Sequence, residues 1–271
     1  MGIVNVTPDS FSDGGKAASP QAAVDRVGQL AAEGADMIDL GGESTRPQAQ
    51  PVGAAEELER VMPVVVGVRK AFPALPLSID TYKAAVASAA INAGADVVND
   101  IWGCLHGQTM EQRAKRAAVR SEMAETVAAL RCPVILMHNR PERRYRDFWE
   151  DFLSDLRLSL AVARAAGIPV GQIWLDLGFG FAKSPEQNLE ALKRLERVVA
   201  LGHPVLLGTS RKSTIGLVLG AAVADRDEGT AATLGWGIQQ GCAMVRVHDV
   251  ASARRTVRMA DAIKAGLTWK P

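Results

Sequence analysis

The 271-residue sequence predicts an α/β protein and, within that class, a single-domain (β/α)8 barrel over residues 1–271. Two patterns predict this fold. Short apolar runs alternate with longer segments of helical period, and polar side chains recur where the apolar runs end. Eight βα units in a chain of this length favour a closed barrel. A doubly wound open sheet of the same element order has the same periodicity, so it stays open as an alternative.

Eight runs rich in Val, Ile and Leu are predicted to be the strands of a buried parallel sheet. They cover residues 2–6, 36–40, 76–80, 96–100, 133–138, 173–177, 204–208 and 243–248. Helices are predicted between them, for example over 54–72 and 184–202. Ser184 and Pro185 are typical of a helix N-cap and first turn, and Gly202 suits the end of the second helix. We find no linker or low-complexity segment, which predicts one domain.

Composition and charge limit the classes of function. The chain has 31 basic and 30 acidic side chains, so it has no overall field that would attract nucleic acid or an anionic membrane. Its three cysteines are far apart and form no metal-binding or disulfide pattern, which favours a reducing compartment. No apolar stretch is long enough to span a bilayer, and the first residues do not resemble a signal peptide. We therefore expect a cytoplasmic protein that binds neither nucleic acid nor membrane.

Polar residues follow each predicted strand. In a barrel the carboxyl ends of all strands meet at one mouth, where active sites of this fold lie. A single Asp after a strand is more often a turn or cap residue, but convergence of eight strand ends predicts a site. The residues are Asn5, Asp39, Glu43, Asp80, Asn99, Asp100, His138, Asp176, Ser210–Ser213, Arg246 and His248.

Two kinds of chemistry are expected at this mouth. Asp80, Asn99 and Asp176 offer acceptors and an amide in an otherwise apolar cavity, which suits a flat heterocycle with ring N–H and amino groups. Donors and an oxygen ligand come from Arg46, Arg246, His248 and Asn5. Such a set suits a phosphate-bearing group with a hard cation such as Mg²⁺. Two glycine-containing loops, at 7–15 and 41–47, are long enough to close over a substrate.

The sequence resembles the dihydropteroate synthase family of folate-biosynthesis enzymes, which are (β/α)8 barrels. The motifs are MGIVNVTPDSFSDGG, DLGGESTRP, SIDT, VNDI, ILMH, DLGFGFAK, GTSRKS and VRVHDV, in the expected order. The resemblance implies a transferase that condenses 6-hydroxymethyl-7,8-dihydropterin diphosphate with 4-aminobenzoate, giving 7,8-dihydropteroate and pyrophosphate with the help of Mg²⁺. It also implies a homodimer, and competition by sulfonamides, which imitate 4-aminobenzoate.

Matching the motifs residue by residue implies the site. The pterin-binding residues are Asp80, Asn99, Asp176 and Lys212, of which Asp80, Asp176 and Lys212 are also catalytic. The diphosphate-binding residues are Asn5, Arg46, Arg246 and His248, with Asn5 as the metal ligand. The 4-aminobenzoate-binding residues are Phe11, Thr45, Pro47, Phe181, Ser210 and Lys212, with Phe11 and Asp13 on the first closing loop. The resemblance further implies a dissociative reaction, in which the diphosphate leaves before the amine bonds and the two carboxylates stabilise a pterin cation.

Two departures from the family pattern are visible. Leu177 stands where the DLGFGF motif usually has Pro, so we expect a less rigid backbone there with Asp176 retained. The segment after VNDI, about 102–121, is longer than the family pattern, and we expect a solvated helix with a basic run from Arg113 to Arg120.

Two other functions are compatible with a pterin-binding barrel. A methyltransferase barrel that serves corrinoid proteins would share the heterocycle pocket, but it has no use for the diphosphate-binding residues in STRP, SRKS and RVH. A catalytically silent relative that binds pterin is the second alternative.

Overall fold

The computed structural model describes residues 1–7, 19–44, 50–115 and 120–270. Within them, eight parallel strands form one sheet, and each strand is hydrogen-bonded to the next in chain order. The strands are β1 (Gly2–Asn5), β2 (Ile38–Gly41), β3 (Leu77–Asp80), β4 (Val97–Asp100), β5 (Val134–Met137), β6 (Ile173–Asp176), β7 (Val205–Leu207) and β8 (Met244–Val245). A parallel bridge between Gly2 and Val247 joins the end of the sheet to its beginning. The predicted (β/α)8 barrel is therefore confirmed.

Helices alternate with the strands and bury an apolar face against the outside of the barrel. In the described residues they are α1 (Pro20–Ala32), α2 (Ala54–Ala71), α3 (Ala84–Asn92), α4 (Met110–Lys115), α5 (Glu122–Leu130), α6 (Phe148–Ala165), α7 (Pro185–Lys193), α8 (Glu196–Val199), α9 (Ser213–Leu219), α10 (Asp227–Gln239) and α11 (Val250–Ala265). The helix predicted over 54–72 is α2. None of the helices in the described ranges is both long and apolar enough to cross a bilayer.

The predicted helix over 184–202 is correct at its start and wrong in its length. Ser184 accepts from the backbone of Gln187, and Gln187 in turn bonds back to the backbone of Ser184, which completes a capping box. The helix ends at Lys193, because the backbone of Arg194 (φ −116°, ψ 38°) leaves the helical region. Leu195, fully buried, follows, and α8 begins after it.

Side chains alternate between the two faces of each strand, so every strand has an inward and an outward row. The outward row packs under the helices in the main apolar core. The inward row fills the lower barrel with Met1, Val97, Ile135 and Leu206, against which Met37, Trp174 and Met244 pack. This apolar plug, here called the barrel floor, makes the interior a packed core and not a channel.

Two residues further along these strands, the inward-facing side chains are polar. The pairs of floor and mouth residues on one strand are Val97 and Asn99, Trp174 and Asp176, and Met244 and Arg246. Two other inward positions are glycines that leave space between these side chains. A Cβ added at Gly41 would lie 3.6 Å from the Cβ of Asp80, and one at Gly208 would lie 3.6 Å from Asp176 Oδ2. The strands thus place polar groups around open space directly above the floor.

Candidate active site

A buried charge network at the mouth joins β2, β3 and β4 to the residue that follows β8. Arg246 donates through Nε to Asp39 Oδ2 at 2.6 Å and through Nη2 to Asp80 Oδ2 at 2.7 Å. Asn99 Nδ2 donates to the same oxygen of Asp39 at 3.0 Å. Burial opposes the charge of Arg246, but Asp39 and Asp80 outweigh it and raise the pKa of the guanidinium. The structure therefore brings the predicted residues Asp80, Asn99 and Arg246 together, with Asp39 as the group that connects them.

Asp39 was predicted to lie at the mouth, but no binding or catalytic role was assigned to it from the sequence. Its side chain is fully buried, and Oδ1 has no hydrogen-bond partner among the described residues. The signal was present in the run DMIDL, where Asp39 shares the inward face with Met37 in an otherwise apolar strand. A buried carboxylate on that face requires a cation, and that cation is Arg246.

Burial has opposite effects on the acids and the amine of the mouth. It raises the pKa of Asp80 to about 7, against the nearby charge of Arg246. It also raises the pKa of Asp176, against the backbone N–H of Gly178 and the charge of Arg246. The pKa of Lys212 falls to about 8, because burial and Arg246 outweigh the pull of Asp176 and Asp80. Burial thus raises the pKa values of both acids of the mouth and lowers the pKa of its amine.

Asp176 ends β6 and is held by the turn that follows it. The Gly178 N–H donates to Asp176 Oδ1 at 2.7 Å, which fixes the plane of the carboxylate. The other oxygen, Oδ2, faces the space that Gly208 leaves open. A ligand N–H placed there would find an oriented acceptor in a buried site.

Lys212 and Phe181 meet as the motif match implied. Lys212 Nζ lies 4.3 Å from the centroid of the Phe181 ring, a cation–π contact. The neighbouring Arg211 has a left-handed backbone (φ 55°) and pairs through Nε and Nη2 with Asp227 at 2.8 and 2.9 Å. Of the two cations in the SRKS motif, Lys212 faces the mouth, whereas Arg211 is paired with Asp227 on α10.

Ser210 and His248 form a pair between the loops that follow β7 and β8. Ser210 Oγ lies 2.9 Å from His248 Nδ1 and accepts from the His248 backbone N–H at 3.2 Å. This places Ser210 beside a predicted diphosphate-binding residue. Its role in 4-aminobenzoate binding stays a prediction, as does the diphosphate role of His248.

Asn5 ends β1 on the opposite side of Gly41 from Asp80. A Cβ at Gly41 would lie 3.7 Å from both Asn5 Oδ1 and Asp80 Oδ2, so the two oxygens border one space. Oxygen atoms are the ligands that Mg²⁺ prefers, and it commonly takes one or two protein ligands beside substrate phosphates. The donor chemistry here fits such an ion. The other predicted residues, Phe11, Asp13, Thr45, Arg46 and Pro47, lie outside the described residues.

A second, partly buried ion cluster lies where the DLGGESTRP segment begins. Lys83 Nζ is 2.5 Å from both Glu43 Oε2 and Glu57 Oε2, and the Tyr82 hydroxyl donates to Glu43 Oε1 at 3.1 Å. Burial lowers the pKa of Lys83, but the hydrogen bonds to Glu43 and Glu57 outweigh it and raise the value. The cluster fixes Glu43, two residues before Thr45. Neither Lys83 nor Glu57 was predicted from the sequence to have a role.

The expectation of a solvated helix after VNDI is wrong at Arg113. This residue lies on α4 but is only 3% exposed. Its guanidinium donates to the carbonyl oxygens of Asn139 at 2.7 Å and Leu105 at 3.1 Å. Arg113 therefore attaches the segment to the loop after β5, while residues 116–119 of the basic run lie outside the described residues.

The geometry defines a (β/α)8 barrel with buried polar and charged groups at its mouth, and comparisons with known proteins identify its family. The family described as pterin binding enzyme matches residues 1–248. A dihydropteroate synthase of Bacillus subtilis is 48% identical over 263 residues, 97% of this chain and 87% of the relative. One from Clostridium beijerinckii is 47% identical over 264 residues, 97% and 93% of the two chains. This chain belongs to the pterin-binding enzyme family.

Solved structures give the same result. A dihydropteroate synthase from Clostridium difficile, solved in the presence of pteroic acid, has a TM-score of 0.87 and 44% identity, covering 97% of this chain and 95% of that one. The Xanthomonas albilineans dihydropteroate synthase with 4-aminobenzoic acid has a TM-score of 0.89 and 41% identity, covering 98% and 93%. These likenesses extend over nearly the whole barrel and include its mouth.

The charge network predicts a pH effect on stability. Because the pKa of Asp80 is raised in the folded protein, its contribution to stability is full below about pH 4 and is lost as pH rises through about 7. Asp80→Asn cannot ionise, so it should not lose this stability as pH rises. The difference between its unfolding free energy and that of wild type should therefore increase by on the order of 1–3 kcal/mol from pH 4 to pH 8. Urea unfolding across this range measures the difference.

Asp227→Asn is the matched control for this measurement. The hydrogen bond from Arg211 lowers the pKa of Asp227, so its contribution to stability is lost as pH falls. For this control, the difference in unfolding free energy from wild type should therefore change with pH in the opposite direction or not at all. Parallel curves for wild type and Asp80→Asn would contradict the role of Asp80.

Proposed function

We propose that this chain is a dihydropteroate synthase, which condenses 6-hydroxymethyl-7,8-dihydropterin diphosphate with 4-aminobenzoate to form 7,8-dihydropteroate and pyrophosphate. The convergence of Asp80, Asn99 and Asp176 above an apolar floor is the observation that carries the proposal, because it matches a flat heterocycle rich in N–H donors. Relatives that bear this enzyme's name cover 97% of the chain at 47–48% identity. The pterin-binding family and the barrel agree with the proposal.

In this proposal the pterin lies nearest the floor. Asp176 Oδ2 accepts from its ring and amino N–H groups, while Asn99 and Lys212 bond to its other polar edge. Asp80 lies beside it and remains paired to Arg246. The two carboxylates then border the carbon that loses diphosphate, where positive charge develops. Their contribution is greatest in the transition state, since the ground state carries no such charge.

The second substrate binds further out. The ring of Phe181 and the stem of Lys212 form one apolar wall for 4-aminobenzoate. We assign the rest of that pocket to Phe11, Thr45, Pro47 and Ser210, by the motif match. The C–O bond to diphosphate breaks first and leaves a pterin cation; the amine nitrogen then forms the new C–N bond with its lone pair, and the proton it releases passes to solvent.

The diphosphate lies towards the loops after β1 and β8. Arg246 uses Nε and Nη2 for Asp39 and Asp80, and among the described residues this leaves Nη1 for an anion. His248, Arg46 and Asn5 complete the proposed diphosphate site. Mg²⁺, with Asn5 as its protein ligand, would neutralise charge on the leaving diphosphate when bound.

A pyrophosphate-release assay tests the proposed function directly. The purified chain, supplied with pterin diphosphate, 4-aminobenzoate and Mg²⁺, should release pyrophosphate and form dihydropteroate. Chelation of Mg²⁺ should reduce the rate. Pterin binding without release under any of these conditions would favour a catalytically silent relative. Pterin-dependent methyl transfer to a corrinoid protein would favour a methyltransferase.

Asp176→Asn should lower kcat/KM by on the order of 10²- to 10³-fold. The amide turns an N–H₂ towards the pterin's own donors, and unpairing a buried charged hydrogen bond costs about 3–5 kcal/mol, where about 1.4 kcal/mol is a factor of ten. Part of the loss should be in kcat. Steady-state kinetics with a thermal melt provide the measurement, and Asp261→Asn, at an exposed position on α11, is the control. Unchanged turnover and pterin affinity would remove Asp176 from the site.

Sulfonamides should compete with 4-aminobenzoate, since they imitate it and would use the Phe181 and Lys212 wall. Inhibition at a fixed sulfonamide concentration should therefore disappear as 4-aminobenzoate is raised to saturation. A dose series in which inhibition persists unchanged at saturation would contradict a shared pocket.

We also propose a homodimer that acts in the cytoplasm. All three cysteines are free thiols, which suits a reducing compartment. Several large apolar side chains are exposed on α9, α10 and α11, namely Leu217, Val218, Leu219, Trp236, Met259 and Ile263. An exposed apolar surface of this kind suits a self-complementary interface.

Sedimentation tests the dimer. The wild-type chain should sediment as a dimer, and Met259→Glu with Ile263→Glu, one turn apart on α11, should shift it to monomer. A monomeric wild type at micromolar concentration would contradict this interface.

A further inference from the structure

The loop that connects β6 to α7, residues 177–182 and here called the β6 loop, has an unusual backbone. Three alternate residues have positive φ angles: Gly178 (66°), Gly180 (86°) and Ala182 (47°). The left-handed region costs a residue with a Cβ roughly 1–2 kcal/mol. At Gly178 any side chain is excluded, since an added Cβ would lie 2.0 Å from the carbonyl oxygen of His138. A backbone of this kind persists only where its surroundings hold it.

Lys183 stabilises this backbone by hydrogen bonds from beneath the loop. Its ammonium is 2.9 Å from His138 Nδ1, 3.0 Å from the Gly178 carbonyl oxygen and 3.1 Å from the Phe181 carbonyl oxygen. An ammonium has three N–H donors, so each of them has an acceptor. The side chain is only 3% exposed. Lys183 therefore joins both ends of the β6 loop to β5 and has no donor left for a substrate.

Lys183 is the first member of a buried chain of hydrogen-bonded polar groups. Because His138 Nδ1 accepts from Lys183, its ring proton is on Nε2, which donates to Asp155 Oδ2 at 3.2 Å. Burial and the charge of Lys183 lower the pKa of His138 to about 3, so the ring is neutral. Arg140 Nε donates to the same oxygen of Asp155 at 2.5 Å. The loop is thus connected through Lys183 and His138 to Asp155 on α6, which Arg140 also holds.

Burial lowers the pKa of Lys183 to about 7, while the charges of Asp176 and Asp155 oppose the shift. The three acceptors around Nζ favour the ammonium form, since a neutral amine offers only two N–H groups.

The opposite side of the β6 loop faces the proposed site. The Gly178 N–H orients Asp176 Oδ1 at 2.7 Å, and the Phe181 ring contacts Lys212. Gly180 lies against the stem of Lys212, because a Cβ there would be 3.2 Å from Lys212 Cδ. One short segment therefore sets both the carboxylate proposed for the pterin and the aromatic wall proposed for 4-aminobenzoate.

We propose that Lys183 is a positioning residue for the transferase reaction, which holds the β6 loop in the one conformation that directs Asp176 and Phe181 at the two substrates. This inference rests on the proposed function and deepens it. Lys183 acts only through the loop: its loss should impair substrate use in protein that is still folded.

Lys183→Met removes the three donors and keeps the length of the side chain. We expect KM for 4-aminobenzoate to rise at least tenfold and kcat/KM to fall about a hundredfold, in protein that is folded by circular dichroism. Lys193→Met, at an exposed position at the end of α7, is the matched control and should behave as wild type. In a Phe181→Leu background, most of the effect of Lys183→Met on KM for 4-aminobenzoate should disappear, because both changes act through the same ring.

A purely structural lysine would give a different result. Lys183→Met would then lower the melting temperature but leave both KM values unchanged, and this outcome would overturn the inference. Should Lys183→Met fail to fold, Asp155→Asn decides the question, since it weakens the chain behind Lys183 without touching the loop. An at least threefold higher KM for 4-aminobenzoate would support the inference, and an unchanged KM would overturn it. Wild type is assayed in parallel, because inactivity of wild type would contradict the proposed function and not the role of Lys183.

Discussion

Charge buried inside a barrel must be paired, and the contact of Arg246 with Asp39 and Asp80 meets this constraint. An isolated carboxylate at the position of Asp39 would lie in a fully buried place without compensation. The guanidinium can serve two carboxylates because its N–H groups diverge in a plane. With this pairing in place, Asn99 gains a fixed acceptor and Asp80 remains at the mouth. The part of the polar layer that Asp39, Asp80 and Asn99 form depends on that single cation.

The period of two along each strand explains what could be predicted. Asp80, Asn99 and Asp176 lie at or next to the ends of their strands on the inward face, so the sequence alone places them around one mouth. The strands were predicted within a few residues for the same reason, as buried parallel strands are continuous apolar runs. The start of α7 was also predictable, because capping is a local property of a few residues.

Contacts between residues distant in sequence account for what was not predicted. Asp39 and its partner Arg246 are 207 positions apart, and no local pattern connects them. Arg113 belongs to a run that looks basic and solvated, yet its guanidinium finds two carbonyl oxygens in other segments. The break after Lys193 was missed because apolar periodicity continues across it. Lys183 belongs to the DLGFGFAK motif, but its three acceptors come together only when the β6 loop is folded over it.

The barrel floor also limits the route that molecules can take. Met37, Ile135, Trp174 and their neighbours fill the interior below the polar layer, so that end of the barrel offers no exit. Asp176 and Asn99 lie directly above the floor, whereas Phe181 and Lys212 stand on loops further out. A molecule held on the loops therefore stands in the path of one held at the floor. Under the proposed function, two ligands that share this entrance would have to arrive in sequence, the inner one first, and the packed floor would set this order of binding.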